Sequence, residues 1–74
     1  MDIETIRKRL KHLGWFIKEI PVRKASLDPE QRIVANWRVI AIKNERSFEV
    51  TGKTLDEAIK KIGISLGVVN EGNL

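Results

Sequence analysis

Cysteine is absent from this chain of 74 residues, and histidine occurs once. Without thiols the chain can form no disulfide framework, and a lone histidine cannot supply a Cys/His zinc site. Stability must therefore come from packing or from association, because a domain of this size buries barely enough area to offset chain entropy. The composition predicts one small domain and suits a reducing cytoplasm.

Long apolar runs are also missing. No stretch approaches the roughly 20 apolar residues that a membrane-spanning helix needs. The first ten residues, MDIETIRKRL, carry acids and helix-patterned apolar residues in place of a basic start followed by an apolar run, so they do not resemble a secretory signal. We therefore expect a cytoplasmic protein without a membrane partner.

Acidic residues are fewer than basic ones, 10 against 14, which gives a formal net charge of +4. The basic excess lies before Thr54, because residues 54–74 carry two lysines against three acids. Such a charge permits attraction to nucleic acid or to anionic lipid, but it does not specify a binding site.

A first amphipathic helix is predicted from Ile3 to Leu13, where apolar residues recur at helical spacing. Asp2 can cap its first turn, and Gly14 can end it. Acids lead and bases follow along this segment, as the helix dipole favours. The basic residues gather on the outward face of the helix.

A second helix is predicted after Thr54, in the segment TLDEAIKKIGISLG. Its start fits a capping box, in which the Thr54 hydroxyl accepts from the Glu57 amide and the Glu57 carboxylate accepts from the Thr54 amide. Glu57 and Lys61 form a favourable pair one turn apart. Gly67 can end the helix. The apolar stripe comprises Leu55, Ala58, Ile59, Ile62 and Leu66.

Three strands are predicted between the helices, at residues 15–23, 33–43 and 47–51. A polar loop at residues 24–31 contains the turn signal Asp28-Pro29. Asn44-Glu45 predicts a hairpin turn, although the glycine that such turns favour is missing.

The length of this hairpin loop decides which side chains share a face of the sheet. An even loop places Phe48 and Val50 with Trp37, Val39 and Ala41, whereas an odd loop places them with Ile40 and Ile42. We favour the even loop, because Trp37 and Phe48 would then share the core.

These elements predict an α+β fold in the order α-β-β-β-α, a three-stranded antiparallel sheet with both helices packed on one face. We expect the domain to cover residues 1–67 and residues 68–74 to form a flexible tail, with Val68 and Val69 able to pack on the sheet. The sequence does not decide which face the helices cover. Either Val34, Ile40 and Ile42 or Trp37, Val39 and Ala41 remain to be buried by something else.

The stretch SFEVTGKTLDEAIKKIG passes from a strand through Gly52-Lys53-Thr54 into a helix, which is the order of a nucleotide-binding P-loop. A P-loop also needs glycine five residues before its Gly-Lys pair, and Ser47 occupies that position. The intervening residues are typical of a strand. We therefore assign Gly52 to the corner between strand and helix, Lys53 to solvent and Thr54 to the helix cap.

Groups suited to catalysis are few. His12 lies on a basic helix face, and Asp56 and Glu57 diverge by about 100° around their helix, so they cannot converge on one substrate. No metal-ligand spacing is present. The sequence predicts a protein that is not an enzyme and that needs no cofactor and no metal.

Binding is therefore the expected function, and two kinds of partner fit the residues. A protein partner or a second copy of the chain is favoured, with contacts at Trp15, Ile40 and Ile42, because a small domain gains burial by association. Nucleic acid is the alternative, with Trp15 or Phe16 available to stack on bases. The candidate phosphate contacts are Arg7, Lys8, Lys11, Arg23, Lys24 and Arg38.

The predicted element order resembles that of a double-stranded RNA-binding domain, which also runs helix, three-stranded antiparallel sheet, helix. That family grips phosphates with a basic cluster at the start of its second helix. The corresponding segment here is Leu55-Asp56-Glu57-Ala58, which carries two acids. The resemblance is therefore one of topology and transfers no phosphate-binding residue.

A second resemblance covers the segment from Trp37 to Leu66. It is similar to the end of HicB-like antitoxin domains, in which a strand leads through glycine and a threonine cap into a helix that begins TLEEA. HicB-like domains bind and block a small RNA-cleaving toxin, so the resemblance implies a binding role for a hairpin-plus-helix module. The shared residues, which cap and pack, are Gly52, Thr54, Leu55, Glu57 and Ala58.

Overall fold

The computed structural model describes residues 2–23 and 34–69. The elements, in chain order, are α1 (Ile3–His12), β1 (Phe16–Arg23), β2 (Val34–Lys43), β3 (Arg46–Gly52) and α2 (Leu55–Ser65). The predicted α+β class and the order α-β-β-β-α are confirmed. The predicted polar loop and residues 70–74 of the predicted tail lie outside the described residues.

The sheet is antiparallel with β2 between β1 and β3. Lys43 pairs with Arg46, which leaves Asn44 and Glu45 as a two-residue turn. Asn44 has a φ of 55°, and asparagine tolerates this left-handed conformation better than most residues do. Asparagine therefore substitutes for the missing glycine, and the even loop predicted from the sequence is confirmed.

The register places Val50 opposite Val39 and Phe48 opposite Ala41, as the even loop requires. Val39 and Ala41 are fully buried. Phe48 lies on the expected face but stays 42% exposed, so it does not share the core with Trp37. It packs instead against Trp15 in an edge-to-face pair with ring centroids 5.6 Å apart, because it lies near the hairpin turn.

Both helices lie on this one face of the sheet. α1 contacts α2 and β1, and α2 contacts β2 and β3. The core between helices and sheet comprises Ile6, Leu10, Val39, Ala41, Ala58, Ile59, Ile62 and Val69. Trp37 packs against this core, so the face left uncovered carries Ile40 and Ile42.

β1 is interrupted near its end. Pro21 pairs with Trp37, and the register shifts between Val22 and Arg23. A proline is tolerated in a strand where its nitrogen points away from the neighbouring strand, and a register shift of this kind marks a bulge. Both features fit an edge strand.

The cap of α2 differs from the predicted capping box in one bond. The Thr54 hydroxyl accepts from the Glu57 amide at 3.1 Å, as predicted. The Glu57 carboxylate accepts from the Lys53 amide at 3.2 Å and not from the Thr54 amide. Thr54 has an extended backbone, and the carboxylate bonds the amide one residue earlier. The predicted Glu57–Lys61 pair is present at 3.2 Å.

Val68 and Val69, which were expected in the tail, pack with the domain. Val69 is only 5% exposed and belongs to the core. The amides of both valines donate to the Gly63 carbonyl oxygen, at 2.9 and 3.2 Å. The chain after α2 therefore turns back over the helix and closes the core through residue 69.

Gly63 allows α1, α2 and the returning chain to approach closely. A Cβ at this position would lie 2.7 Å from Val69 Cγ2 and 2.9 Å from Ile6 Cγ2. We expect Gly63→Ala to lower the free energy of unfolding by about 1–2 kcal/mol, because overpacking outweighs the gain in helix propensity. Urea unfolding measures this change. Ser65→Ala on the exposed side of α2 is the control, and a Gly63→Ala protein more stable than wild type would contradict the prediction.

Candidate interaction surface on the open sheet face

The open sheet face is the surface of the sheet that the helices leave uncovered. Side chains alternate between the two faces of each strand, and directly paired residues share a face. The residues on this face are therefore Phe16, Lys18, Ile20 and Val22 of β1, Asn36, Arg38, Ile40 and Ile42 of β2, and Ser47, Glu49 and Thr51 of β3.

Apolar side chains are concentrated on the β1 and β2 side of the open sheet face. Phe16 is 61% exposed, and Ile20 and Val22 are 37% and 36% exposed. Phe16 pairs with Ile42, and Ile40 lies two residues further along β2. Phe16, Ile40 and Ile42 are therefore neighbours, and Ile20 and Val22 follow on β1 beyond Lys18. These five side chains are the apolar patch of the open sheet face, and exposed apolar groups gathered on one surface are one sign of an interaction site.

The sequence of β2 explains why this patch exists. Its last seven residues, WRVIAIK, are apolar at five positions and include the unbroken apolar run from Val39 to Ile42, which is typical of a strand buried on both faces. The helices bury Val39 and Ala41, whereas Ile40 and Ile42 remain only partly buried. The described part of the domain thus covers one of the two faces that β2 is built to bury.

Charged groups lie within and beside the patch. Arg38 donates from Nε to Glu49 Oε1 at 2.7 Å. This hydrogen bond raises the pKa of Arg38 and lowers the pKa of Glu49, so the two form an exposed ion pair across β2 and β3. Lys18 makes no ion pair with the described residues. The face therefore carries a paired charge beside β3 and a single lysine on β1.

The candidate phosphate contacts do not share a surface. Lys8 and Lys11 are exposed on α1, in the helix layer, whereas Arg38 lies on the opposite, open side of the sheet. Arg23 is exposed at the end of β1, and Lys24 lies outside the described residues. The structure therefore brings Lys8 and Lys11 together but separates them from Arg38.

Arg7 is occupied by carboxylates. Its Nε and Nη2 donate to the two oxygens of Glu19, each at 2.7 Å, and its Nη1 donates to Glu4. The hydrogen bonds to Glu19 are the main reason that the pKa of Arg7 is raised. A bidentate pair of this kind ties α1 to β1, so Arg7 has a structural role in the described domain.

Trp15 lies apart from the two isoleucines with which it was grouped. It is half-buried beside the helix-covered core, where it contacts Phe48, and Lys43 Nζ lies 5.7 Å from the ring centroid. Ile40 and Ile42 lie on the open sheet face. The face also includes Phe16, Ile20 and Val22, which were not predicted as protein contacts; the alternation in FIKEIPV was the signal for them.

No protein-family model, curated protein or solved structure matches this chain. Within residues 2–23 and 34–69, no helix has the length and apolar character needed to cross a membrane.

Proposed function

We propose that this protein is a non-enzymatic, cytoplasmic interaction module that binds an apolar protein surface through its open sheet face, and that its partner is a second copy of the chain. The observation that carries the proposal is the patch on this face, in which Phe16 is 61% exposed beside Ile42. Burial of the patch would add apolar area that one small domain lacks.

The size of the face sets the expected affinity. Three strands about 4.8 Å apart and seven residues long cover roughly 14 by 23 Å. Two such faces amount to roughly 640 Å² of flat area, about half of what the smaller specific interfaces bury in total, so the dimer is expected to be weak. We therefore expect a dissociation constant in the micromolar range, about 10–100 µM.

Nucleic-acid binding is the second candidate, and the exposed ring of Phe16 near Lys18 favours it, because exposed aromatic rings on a basic sheet can stack on bases. The distribution of charge supports nucleic-acid binding less than it supports self-association. Arg7 and Arg38 are bound to carboxylates, and Lys8 and Lys11 of α1 lie on the other side of the domain. Self-association needs no such shared basic surface.

Sedimentation equilibrium of the wild-type protein between about 5 and 500 µM tests the proposal, since this range spans the expected dissociation constant. We expect a reversible monomer–dimer equilibrium that salt between about 50 and 500 mM weakens far less than it weakens a complex held by phosphate contacts, because apolar contacts are hardly screened. The variant Lys8→Glu/Lys11→Glu is the matched control and should dimerise as wild type does.

A different outcome would favour the alternative. If the protein stays monomeric at every concentration, the proposal fails. Amide shifts at Phe16 and Lys18 on addition of short duplex RNA or DNA, which fade between about 50 and 200 mM salt, would then identify a nucleic-acid binder.

A further inference from the structure

We propose that two copies pack face to face about a twofold axis parallel to β2, so that Lys18 of each copy pairs with Glu49 of the other. This inference rests on the proposed self-association and specifies its geometry. The observations behind it are the positions of Lys18, Ile40 and Glu49 in one row of the open sheet face.

Lys18 and Glu49 lie on opposite sides of Ile40. Ile40 pairs with Lys18 of β1 and with Glu49 of β3, so the two charges stand one strand, about 4.8 Å, to either side of β2. A twofold axis along β2 places β1 of one copy over β3 of the other. Each Lys18 then faces a Glu49, and Ile40 and Ile42 meet their equivalents near the axis.

In the competing arrangement the twofold axis again lies between the two sheets, but it runs along the row of Lys18, Ile40 and Glu49, perpendicular to the strands. It places β1 over β1 and β3 over β3, so Lys18 faces Lys18 and Glu49 faces Glu49. Like charges facing each other across an interface are costly. Each Glu49 keeps its own Arg38 in both arrangements, so the contacts of Lys18 select the axis parallel to β2. Ile40 meets its equivalent in both arrangements; the axis parallel to β2 also brings Ile42 onto Ile42 and places Phe16 over Ser47 of the second copy.

The spacing of packed sheets allows this pairing. Face-to-face sheets lie about 10 Å apart, which an extended lysine and a glutamate can bridge together. Aligned sheets are usually rotated by about 30°, and this rotation displaces a residue about 4.8 Å from the axis by only about 2–3 Å. Lys18 and Glu49 thus stay within reach of each other.

The existing contacts leave both groups available. Glu49 accepts from Arg38 through Oε1, and its Oε2 makes no hydrogen bond within the described part of the chain. Lys18 makes no ion pair there. The guanidinium of Arg38 lies beside β3 because it is bonded to Glu49. In the proposed dimer the two β3 strands lie on opposite sides of the axis, so the two guanidinium groups point away from each other.

The experiment uses Lys18→Glu, Glu49→Lys and the double variant that exchanges both charges. We expect each single variant to raise the dissociation constant of its own homodimer at least about tenfold, because both interfacial pairs become like-charged. The double variant restores both pairs, and its dissociation constant should return to within about threefold of wild type. Sedimentation equilibrium measures all four proteins.

A mixture of wild type and the double variant distinguishes the twofold axis parallel to β2 from the axis perpendicular to the strands. With the axis parallel to β2, wild type and the double variant should form homodimers and exclude each other, because every mixed pair is like-charged. With the perpendicular axis they should prefer each other. The double variant has the same mass as wild type, so native mass spectrometry needs one protein labelled with ¹⁵N.

The outcomes also separate this inference from the proposed function. A wild-type protein that never dimerises overturns both. A wild-type dimer that is indifferent to the single variants, or that mixes freely with the double variant, overturns the twofold geometry alone and leaves the open sheet face as the interface. Thermal unfolding of each variant checks that loss of the Arg38–Glu49 pair has not unfolded the monomer.

Discussion

Gly52→Ala is expected to lower the free energy of unfolding by about 3 kcal/mol, toward the severe end of the range for overpacking. A Cβ at Gly52 would lie 2.7 Å from the Ala58 amide nitrogen and 3.0 Å from Ala58 Cα. It would also lie 3.1 Å from the Thr54 carbonyl oxygen. These are backbone atoms of the first turn of α2, so relief requires the helix to move away from β3.

The expected loss is large relative to the whole stability, since a domain of this size is usually stable by about 4–11 kcal/mol. Urea unfolding followed by tryptophan fluorescence measures it. Lys53→Ala, at the next position of the same corner, is the matched control, because its side chain is exposed and its loss should change stability by no more than about 0.5 kcal/mol. Equal urea midpoints for Gly52→Ala and wild type would show that the corner can relax.

Ile42→Glu is expected to raise the dissociation constant of the proposed dimer by at least about 100-fold, so that the protein is monomeric at every practical concentration. Ile42 lies near the proposed axis, where each new carboxylate would be buried against its equivalent. The monomer should keep its fold, because Ile42 lies on the face opposite the helices. Ile42→Glu should therefore weaken dimerisation without lowering the stability of the monomer.

Sedimentation equilibrium and thermal unfolding together test this expectation. Ser65→Glu adds the same charge on the helix side of the domain, where Ser65 is exposed, and should dimerise as wild type does. If Ile42→Glu still dimerises with an affinity near that of wild type, the open sheet face is not the interface.

Local signals in the sequence were enough to predict the helix caps and the hairpin between β2 and β3. Asp2 and Thr54 cap their helices as predicted, because a cap depends on residues within one turn. Asn44-Glu45 fixed the register, because a two-residue turn leaves one way to pair β2 with β3. The bond from Glu57 to the Lys53 amide was missed, since that choice depends on backbone angles at the corner.

The covered face of the sheet could not be predicted, because β2 is apolar on both sides. The decision depends on how α1 and α2 pack together over Val39 and Ala41, which involves residues far apart in sequence. The same reason applies to the basic side chains. Arg7 lies twelve residues from Glu19, and Arg38 lies on a different strand from Glu49, so neither ion pair has a local signature.

The interrupted end of β1 bears on how large an assembly can grow. β2 is the one neighbour of β1 within the described residues, and Pro21 offers no amide hydrogen to a strand added on its outer side. The bulge after Val22 also twists the edge away from a flat template. Sheets that joined edge to edge at β1 could extend into fibres, whereas association through a face with a twofold axis closes after two copies. If the open sheet face is the interface, as proposed, the interrupted edge of β1 favours a dimer over open-ended polymerisation.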